Sequence, residues 1–457
     1  MSVKIERSLT ATADGGSEID ADEAFEQIVT AIETVLDKSK KLKGGVEYIV
    51  SCSLMHTLVG VDTKGRPTTK VFGWADTRSR KFTDVLRKRF DEAATHDRTG
   101  TRFHSSYWTA KLLWQRNAFP DVFATTAKWL ALSDYVALKL TGEPATSLSI
   151  ASGSGFLDIH TCTWDAELLR FLKVKPANLP AIVDSDSATF KLNKTFAKRW
   201  PRLAHTQWFP SVADGIADSI GAGCVTRSKA ALMVGTSGAM RVAYPGEPPA
   251  KIPAGLWCYR VDRKRVILGG ALSDGGGLYR WLKDNLKLPK DAESEISHRG
   301  PAAHGLTFLP FLAGERGTGY HEAATGAVLG MKSSNDAVDI LHAAMESVAY
   351  RFAELYDQLN SVVRVKKIVA SGGALRESPV WTQIIADVLG RDLTMSGARE
   401  SSSRGAVLLA LESIGKIENI ETLTMPIANT TAYHPKCHAI YNRARKQHDK
   451  TYESILK

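Results

Sequence analysis

The stretch that most constrains the fold is KKIVASGGALRESPVWTQIIADVLG, residues 366–390. Its first five residues, 366–370, predict a buried strand that enters a Ser-Gly-Gly turn. A helix is predicted next, because Ser378 suits the N-cap, Pro379 the first helical turn and Gly390 the position after the last turn. Since a glycine turn between a strand and a helix exposes backbone N–H groups, this unit predicts an α/β fold with a nucleotide at the strand end.

Four other segments continue the alternation of strands and helices. Asp20 begins a pattern that resembles a capping box, and the apolar spacing after it predicts a helix that ends at Gly44-Gly45. A buried strand is predicted at 46–54, a long helix at 334–359 and a last helix at 405–414. This alternation predicts α/β layers, and we expect two such domains with a ligand-binding cleft between them.

Composition limits the classes of protein to be considered. The chain of 457 residues is long enough for two or three domains with full cores. No recognition-helix, zinc-finger or similar pattern accompanies the net charge of +10, so we expect no nucleic-acid partner. No stretch approaches the roughly 18 apolar residues of a membrane span, and the N-terminus lacks the apolar core of a signal peptide. The five cysteines show no CxxC spacing, and we therefore expect a cytoplasmic protein that binds no membrane.

A second glycine turn lies in ALMVGTSGAM, residues 231–240. Two short apolar runs flank Gly235-Thr236-Ser237-Gly238, which predicts a β-hairpin with glycine and small hydroxyl side chains at its tip. Glycine lets backbone N–H groups approach a ligand closely, and Thr and Ser add short donors, so the tip suits a phosphate. A tight hairpin without a ligand is the alternative interpretation.

One carboxylate stands out among the candidate catalytic groups. Asp214 lies in SVADGIADSIGAG, residues 211–223, where the following small residues predict a helix that a ligand can approach. It either caps that helix or acts as a general base toward an attacking hydroxyl. Glycines at 269–270 and 275–277 follow a further strand. The chain has no GxxxxGK[ST], GxGxxG or HExxH motif, and the spacing around Ser237 does not fit the GxSxG motif of serine hydrolases.

Taken together, these stretches resemble the FGGY family of carbohydrate kinases, within the sugar kinase, Hsp70 and actin superfamily, and gluconokinase- and xylulokinase-like members most. The resemblance covers nearly the whole chain from about residue 15. It rests on the order and spacing of LMHTLVGVD (54–62), WADTRS (74–79), VADGIADSIGAG (212–223), MVGTSG (233–238), GLTFLPFLAGERGTGY (305–320) and VASGGALRESPVWTQIIADVLG (369–390).

The resemblance implies a fold and an activity. It implies two actin-like, ribonuclease H-like domains with a catalytic cleft between them: a sugar-binding domain at 1–225 and an ATP-binding domain at 226–457. The implied reaction is ATP-dependent phosphorylation of a hydroxyl of a small sugar, sugar acid or polyol, gluconate- or xylulose-like, with Mg²⁺ beside the phosphates. The implied protein is a transferase of carbohydrate metabolism.

The resemblance also implies roles for individual residues. Asp214 matches the catalytic base that deprotonates the sugar hydroxyl. The residues implied to bind ATP are Gly235, Thr236, Ser237, Gly270, Gly372, Gly373, Ala374 and Ser378. Those implied to bind the sugar are Met55, His56, Trp74, Asp76 and Arg78. Three alternatives stay open: His56 as a core histidine, Asp76–Arg78 as a local ion pair, and the GERGTGY loop (314–320) as a purely structural junction.

One part of the family pattern is missing. In the family a first phosphate-binding hairpin, roughly Asp-x-Gly-Thr, precedes the first long helix, and its aspartate helps to organise magnesium. Fewer than twenty residues precede the helix near Asp20, so we expect the N-terminal domain to lack this hairpin, either because the sequence is truncated at its start or because the protein has lost the arm. The turn Asp14-Gly15-Gly16-Ser17 has suitable residue types but lies directly before the helix. Unpaired sheet positions would leave an exposed edge, so association into a homodimer stays open.

The missing hairpin leaves two rival functions. A relative without the first phosphate-binding arm could bind a sugar or a nucleotide with impaired catalysis or none, because phosphoryl transfer depends on positioning and charge stabilisation. A sugar-independent ATPase related to Hsp70 or actin is disfavoured by the Met-His and WADTRS stretches.

Overall fold

A computed structural model describes residues 2–6, 9–184 and 189–456 of the chain. Within these ranges no helix is both long and apolar enough to cross a membrane.

The chain up to Gly221 contains many short strands and ten helices among its described residues. The strands are β1 (Thr10–Ala11), β2 (Ser17–Ile19), β3 (Tyr48–Ile49), β4 (Cys52–Ser53), β5 (Val59–Val61), β6 (Val71–Phe72), β7 (Lys128–Leu130), β8 (Ala145–Ser147), β9 (Leu157–Asp158), β10 (Thr163–Trp164), β11 (Ala181–Val183), β12 (Gln207–Trp208) and β13 (Val212–Ala213). The helices are α1 (Ala21–Lys38), α2 (Lys81–Arg89), α3 (Glu92–Thr99), α4 (Trp108–Ala118), α5 (Pro120–Thr125), α6 (Leu132–Thr141), α7 (Leu148–Ser152), α8 (Ala166–Leu172), α9 (Lys194–Arg199) and α10 (Asp214–Gly221).

The remainder of the chain is built around one large sheet. Its strands and the neighbouring ones are β14 (Lys229–Val234), β15 (Gly238–Pro245), β16 (Trp257–Arg260), β17 (Arg265–Leu272), β18 (Thr307–Leu309), β19 (Ala327–Leu329), β20 (Lys367–Ser371), β21 (Leu393–Ser396) and β22 (Ile427–Thr431). The helices are α11 (Gly276–Asn285), α12 (Ala292–Arg299), α13 (Ala337–Asn360), α14 (Gly373–Glu377), α15 (Pro379–Leu389), α16 (Ser401–Ser413) and α17 (Pro435–Leu456).

The C-terminal sheet has seven strands in the order β16-β17-β15-β14-β20-β21-β22. Strand β15 is antiparallel to both of its neighbours, β17 and β14. Strand β20 pairs in parallel with β14, and β21 pairs in parallel with β20. This is the strand order of a ribonuclease H-like domain. Helices α11, α13 and α15 share one buried apolar cluster with the sheet, which fixes the strand ends that carry the glycine turns.

The N-terminal half shows only part of the same arrangement. Strands β3 and β4 pair in parallel with β12 and β13, as the last two strands of such a sheet do. Within the described ranges, no three-stranded antiparallel unit joins the other edge of β3 and β4. The hairpin β1–β2 instead pairs with β6, so the turn Asp14–Ser17 lies beside the WADTRS segment. The lack of the first hairpin stays a prediction.

Several sequence-based boundaries agree with the structure and others do not. The hairpin at 231–240, the strand at 366–370 and the caps Ser378 and Gly390 are confirmed. Helix α1 begins after the predicted cap Asp20 but ends at Lys38, well before the two glycines. The predicted buried strand at 46–54 is two short, half-buried strands, because each pairs on one side only.

Two C-terminal helices also differ from the prediction. Helix α16 begins at Ser401 rather than Gly405, since the serines before Gly405 continue the helix into its contact with α10. The predicted last helix is followed by α17, a mainly polar helix whose buried residues Tyr441, His448 and Tyr452 attach it to the domain.

Helices α10 and α16 pack against each other with their backbones in contact. A Cβ atom on Gly221 would lie 1.8 Å from the Ser401 carbonyl oxygen, and one on Gly405 would lie 1.9 Å from the Ala217 carbonyl oxygen. Only glycine allows this approach. Because α10 begins with Asp214, this contact fixes the helix that carries the predicted base.

Candidate functional site

Two cavities meet at the tip of the β14–β15 hairpin. Gly235 and Thr236 line one cavity of about 480 Å³, and Ser237 and Gly238 line the other, of about 310 Å³. The first also contains residues that were predicted to bind ATP, and the second contains residues that were predicted to bind the sugar, so we call them the nucleotide cavity and the sugar cavity. Successive residues of one turn therefore face the two predicted substrates.

The glycine run after β17 supports this hairpin tip. The amides of Gly275 and Gly277 donate to the Thr236 carbonyl, at 3.2 and 2.9 Å, and the Gly276 amide donates to the Gly235 carbonyl at 2.8 Å. A Cβ on Gly276 would lie 2.5 Å from the Gly235 oxygen. Gly275–Gly277 thus hold the hairpin tip through the carbonyl groups of Gly235 and Thr236.

The strand–turn–helix unit forms another wall of the nucleotide cavity. Gly372 has φ +101°, and a Cβ there would lie 2.2 Å from the Val234 oxygen, so this glycine packs against the base of the hairpin. Gly373 and Ala374 line the cavity, and the space beside Gly373 is open. Ser378 also lines it, but its hydroxyl caps α15 and donates to Glu293.

Two cations of the nucleotide cavity were missed from the sequence. Arg280 and Lys283 lie on α11 and line the cavity together with Tyr279. The run Gly275–Gly277 could have revealed these two cations, because a glycine-rich turn before a helix with basic residues suits a phosphate. Gly270 is not among the lining residues of either cavity: it faces α13, where a Cβ would lie 2.2 Å from a Leu355 methyl carbon.

Asp214 lies in the wall of the sugar cavity as the first residue of α10. The N-cap of this helix is Ala213, so capping does not account for the carboxylate, whose Oδ1 accepts a hydrogen bond from the adjacent Gly215 amide at 2.7 Å. Burial raises the pKa of the Asp214 carboxyl, while the amides of Gly215 and Met55 and the Arg241 guanidinium act in the opposite direction. A raised pKa brings a carboxylate closer to the range in which a general base works well.

Arg241 and Asp218 accompany Asp214 in the cavity and were not predicted. Arg241 comes from β15 and is 9% exposed, and its Nη1 lies 3.6 Å from Asp218 Oδ2. Neither of these two atoms has a hydrogen-bond partner among the described residues. Burial raises the pKa of Asp218 as well, and Arg241 opposes it. Arg241 is thus the positive charge at the Asp214 end of the cavity.

Three of the predicted sugar-binding residues reach the cavity, namely Met55, His56 and Trp74. Burial lowers the pKa of His56 to about 3, so this imidazole is neutral, and its Nδ1 contacts the Gly153 carbonyl. The buried Lys111 positions the two loops that carry these residues. Its ammonium donates to the carbonyls of His56, Gly73 and Ser106 at 2.7, 2.7 and 2.8 Å.

Asp76 and Arg78 lie outside the described lining of the sugar cavity. Arg78 Nη2 lies 2.6 Å from Asp76 Oδ2 and 2.8 Å from Glu18, and its guanidinium stacks on Trp114. Their position favours the local ion pair, which attaches the β1–β2 hairpin to the WADTRS segment. The turn at Asp14 contacts Arg78 there and likewise lines neither cavity.

The GERGTGY loop contributes Arg316 to the sugar cavity. Its guanidinium lies over the Trp74 ring, 4.7 Å from the ring centroid. The neighbouring Glu315 points away from the cavity, toward Arg351 at 2.6 Å and the Tyr452 hydroxyl. The loop is therefore both a structural junction and part of the cavity wall.

Two groups of potential metal ligands occur in the described chain, and neither lines the two cavities. In the first, Glu346 accepts from His304, His342, Tyr350 and the Ala302 amide. Its oxygens are saturated by protein donors, as in a structural network. The second consists of Asp387, His434 and Cys437 at the start of α17.

The two-domain actin-like α/β scaffold, with a cavity on either side of one hairpin tip, is that of a carbohydrate kinase. The chain belongs to the FGGY family of carbohydrate kinases, since the family's N-terminal domain matches residues 2–207 and its C-terminal domain matches residues 230–413. It is 26% identical over 435 residues to the gluconokinase of Bacillus licheniformis, a match covering 92% of this chain and 84% of that protein.

Solved structures give the same result. The ligand-bound xylulose kinase from Lactobacillus acidophilus superimposes with a TM-score of 0.90 at 26% identity, over 98% of this chain and 91% of the other. The gluconate kinase from the same organism superimposes with a TM-score of 0.88 at 26% identity, over 98% of this chain and 92% of the other. The recognised family and the two-domain actin-like fold are thereby confirmed, whereas the domain boundary at 225–226 and the individual site roles stay predictions.

Proposed function

We propose that this protein transfers the γ-phosphoryl group of ATP to a hydroxyl of a small sugar, sugar acid or polyol, of the gluconate or xylulose kind. The observation that carries the proposal is the division of one hairpin tip between two cavities. Gly235 and Thr236 face the cavity proposed for ATP, and Ser237 and Gly238 face the cavity proposed for the sugar. A phosphoryl group at this tip would lie between donor and acceptor, as in-line transfer requires.

Asp214 is proposed as the general base. It lines the sugar cavity together with Ser237 and is not used as a helix cap. It would accept the proton of the attacking hydroxyl while the hairpin amides stabilise the transferring group. Closure of the cleft would exclude water and prevent hydrolysis of ATP.

The glycine turns and the cations of the nucleotide cavity support ATP binding. Glycine backbone, the Tyr279 ring and the cations Arg280 and Lys283 line a space of about 480 Å³, which three carboxylates also line, namely Asp284, Glu293 and Glu377. Gly235, Thr236 and Gly373 are proposed to contact the nucleotide through backbone groups, and Arg280 and Lys283 to contact its phosphates. Mg²⁺ would be held mainly by the phosphates, with Asp214 and Asp218 as the carboxylates beside Ser237, and when bound it would neutralise phosphate charge.

The test is ADP release with Mg-ATP and a panel of gluconate, xylulose, ribulose, glycerol and erythritol. Acceptor-dependent release is expected from the wild-type chain and should be lost in Asp214→Asn, which keeps the shape of the side chain and removes the base. Asp121→Asn is the matched control, because Asp121 lies in the first turn of the exposed helix α5. ADP release that does not depend on the acceptor, or that persists in Asp214→Asn, would overturn the proposal.

A binding protein without turnover is the second candidate function. It is favoured by the described residues of the N-terminal half, in which no three-stranded antiparallel unit joins the other edge of β3 and β4, since transfer in this family also uses a first N-terminal arm. A folded wild-type chain that binds both a non-hydrolysable ATP analogue and an acceptor in calorimetry, but releases no ADP, would establish it.

A further inference from the structure

The sugar cavity contains a positive charge without a partner. Among the described residues, no carboxylate and no hydrogen-bond acceptor reaches the Arg316 guanidinium, which lies over the Trp74 ring. A guanidinium has five N–H donors in a planar fork and is charged at any physiological pH. Arg316 lines the space of about 310 Å³ that receives the acceptor under the function proposed above, and it also lines a neighbouring cavity of about 320 Å³.

The loop around Arg316 is fixed so that the residue's own acidic neighbour cannot neutralise it. Glu315 is 3% exposed and accepts hydrogen bonds from Arg351 at 2.6 Å, from the Thr318 hydroxyl at 2.8 Å and from the Tyr452 hydroxyl. On the other side, Gly317 lies so close to β17 that a Cβ would be 2.3 Å from the Ala271 oxygen. Arg316 is thus held between two anchored positions, which preorganises its fork for a ligand.

Two arginines line the sugar cavity. Arg241 is shared by Asp214 and Asp218. Arg316 acts electrostatically on His56, which is buried and neutral. Tyr259 lines the same cavity, with its hydroxyl 2.8 Å from that of Tyr107. Among the described lining residues, an anion on the acceptor therefore meets an unopposed cation only at Arg316.

We propose that Arg316 is a carboxylate-binding residue and that the acceptor is consequently a sugar acid. A planar guanidinium stacked on an aromatic ring matches a carboxylate with two parallel N–H···O bonds. This inference rests on the proposed kinase function and selects among its acceptor classes. A neutral sugar or polyol leaves the half-buried cation without a counter-charge and binds more weakly.

The test compares gluconate, a six-carbon aldonate, with sorbitol, the neutral alditol of the same length. Binding is measured by calorimetry and turnover by ADP release, at equal ionic strength. The wild-type chain is expected to prefer the aldonate, and Arg316→Met should lower its kcat/KM for the aldonate about 100-fold while the value for the alditol changes less than about threefold. Arg316→Lys, which keeps the charge without the fork, should lose about tenfold on the aldonate.

Arg227→Met is the matched control, since Arg227 lies 4.1 Å from the Tyr244 ring centroid but lines neither cavity. Equal losses on both acceptors in Arg316→Met would overturn the assignment and place the guanidinium on the transferring phosphoryl group. Wild-type kcat/KM values for both the aldonate and the alditol in Arg316→Met would also overturn the assignment. If the wild type binds the aldonate in an Arg316-dependent manner without turnover, the proposed kinase activity fails while the carboxylate site stands.

Discussion

The backbone contact of Gly405 with Ala217, between helices α16 and α10, supplies a quantitative test of how the predicted base is positioned. In Gly405→Ala the new methyl carbon would lie 1.9 Å from the Ala217 carbonyl oxygen, where ordinary contact begins near 3.4 Å. Both partners are helix backbone, so no flexible side chain can move aside, and the helices must separate by about 1.5 Å. Asp214 lies one turn before Ala217 on the same rigid helix.

A displacement of this size has two expected consequences. Overpacking against backbone should cost about 1–3 kcal/mol of unfolding free energy. Since a 1 Å misplacement of a catalytic group can cost about 100-fold in rate, kcat for the preferred acceptor should fall about 100-fold. ATP affinity should change little, because the nucleotide cavity is formed by α11 and α14 rather than α10.

The assay is steady-state ADP release, with far-ultraviolet circular dichroism and chemical denaturation to establish that the variant is folded. Ser403→Ala serves as the control, because it also creates an alanine on α16 but at an exposed position and without adding a Cβ atom against α10. A folded Gly405→Ala protein with wild-type kcat would refute the argument that this backbone contact positions Asp214.

Two further predictions follow from the buried charges. Arg241→Met removes the cation that lowers the pKa of Asp214, so the pKa of this carboxyl should rise further. The acid limb of the pH profile of kcat should therefore move to higher pH. An acid limb at the wild-type pH would show that Arg241 does not influence the ionisation of Asp214. Tyr452→Phe removes the hydroxyl that donates to Glu315 at 2.9 Å and should lower the free energy of unfolding, measured in urea, by about 1.5–3 kcal/mol. Tyr48→Phe is the control, because among the described residues the Tyr48 hydroxyl makes no such bond, and it should change the free energy of unfolding very little. Equal losses in the two variants would contradict the anchoring role of Tyr452.

The candidate site could be predicted where local backbone chemistry decides it. The tip Gly235–Ser237 and the turn before α14 were recognisable because glycine between strand and helix, or between two strands, has few structural uses other than close approach. Asp214 was recognisable because small residues follow it. Gly270 shows the limit of such reasoning: the strand alternates between two faces, and the sequence does not say that Gly269 faces Arg241 and Gly270 faces Leu355.

Charged residues of the cavity wall were the main omission. Arg241, Arg280 and Arg316 come from a strand, a helix and a loop that are far apart in the chain. In the sequence each resembles an ordinary surface arginine, because nothing local reveals whether a carboxylate lies opposite. Asp76 and Arg78 illustrate the reverse case: they resembled ligand contacts, and the folded chain pairs them with each other and with Glu18.

The sequence by itself determined the α/β alternation, the glycine turns and the family of this protein, because these depend on short-range periodicity and on motifs in a fixed order. Tertiary structure alone decided which side of the hairpin faces which cavity, and which charges are left without partners. Arg316 is the clearest example, since its neighbour Glu315 is neutralised by Arg351 and Tyr452 from two other helices. Charge compensation depends on distance in space, and the chain order of residues carries little information about that distance.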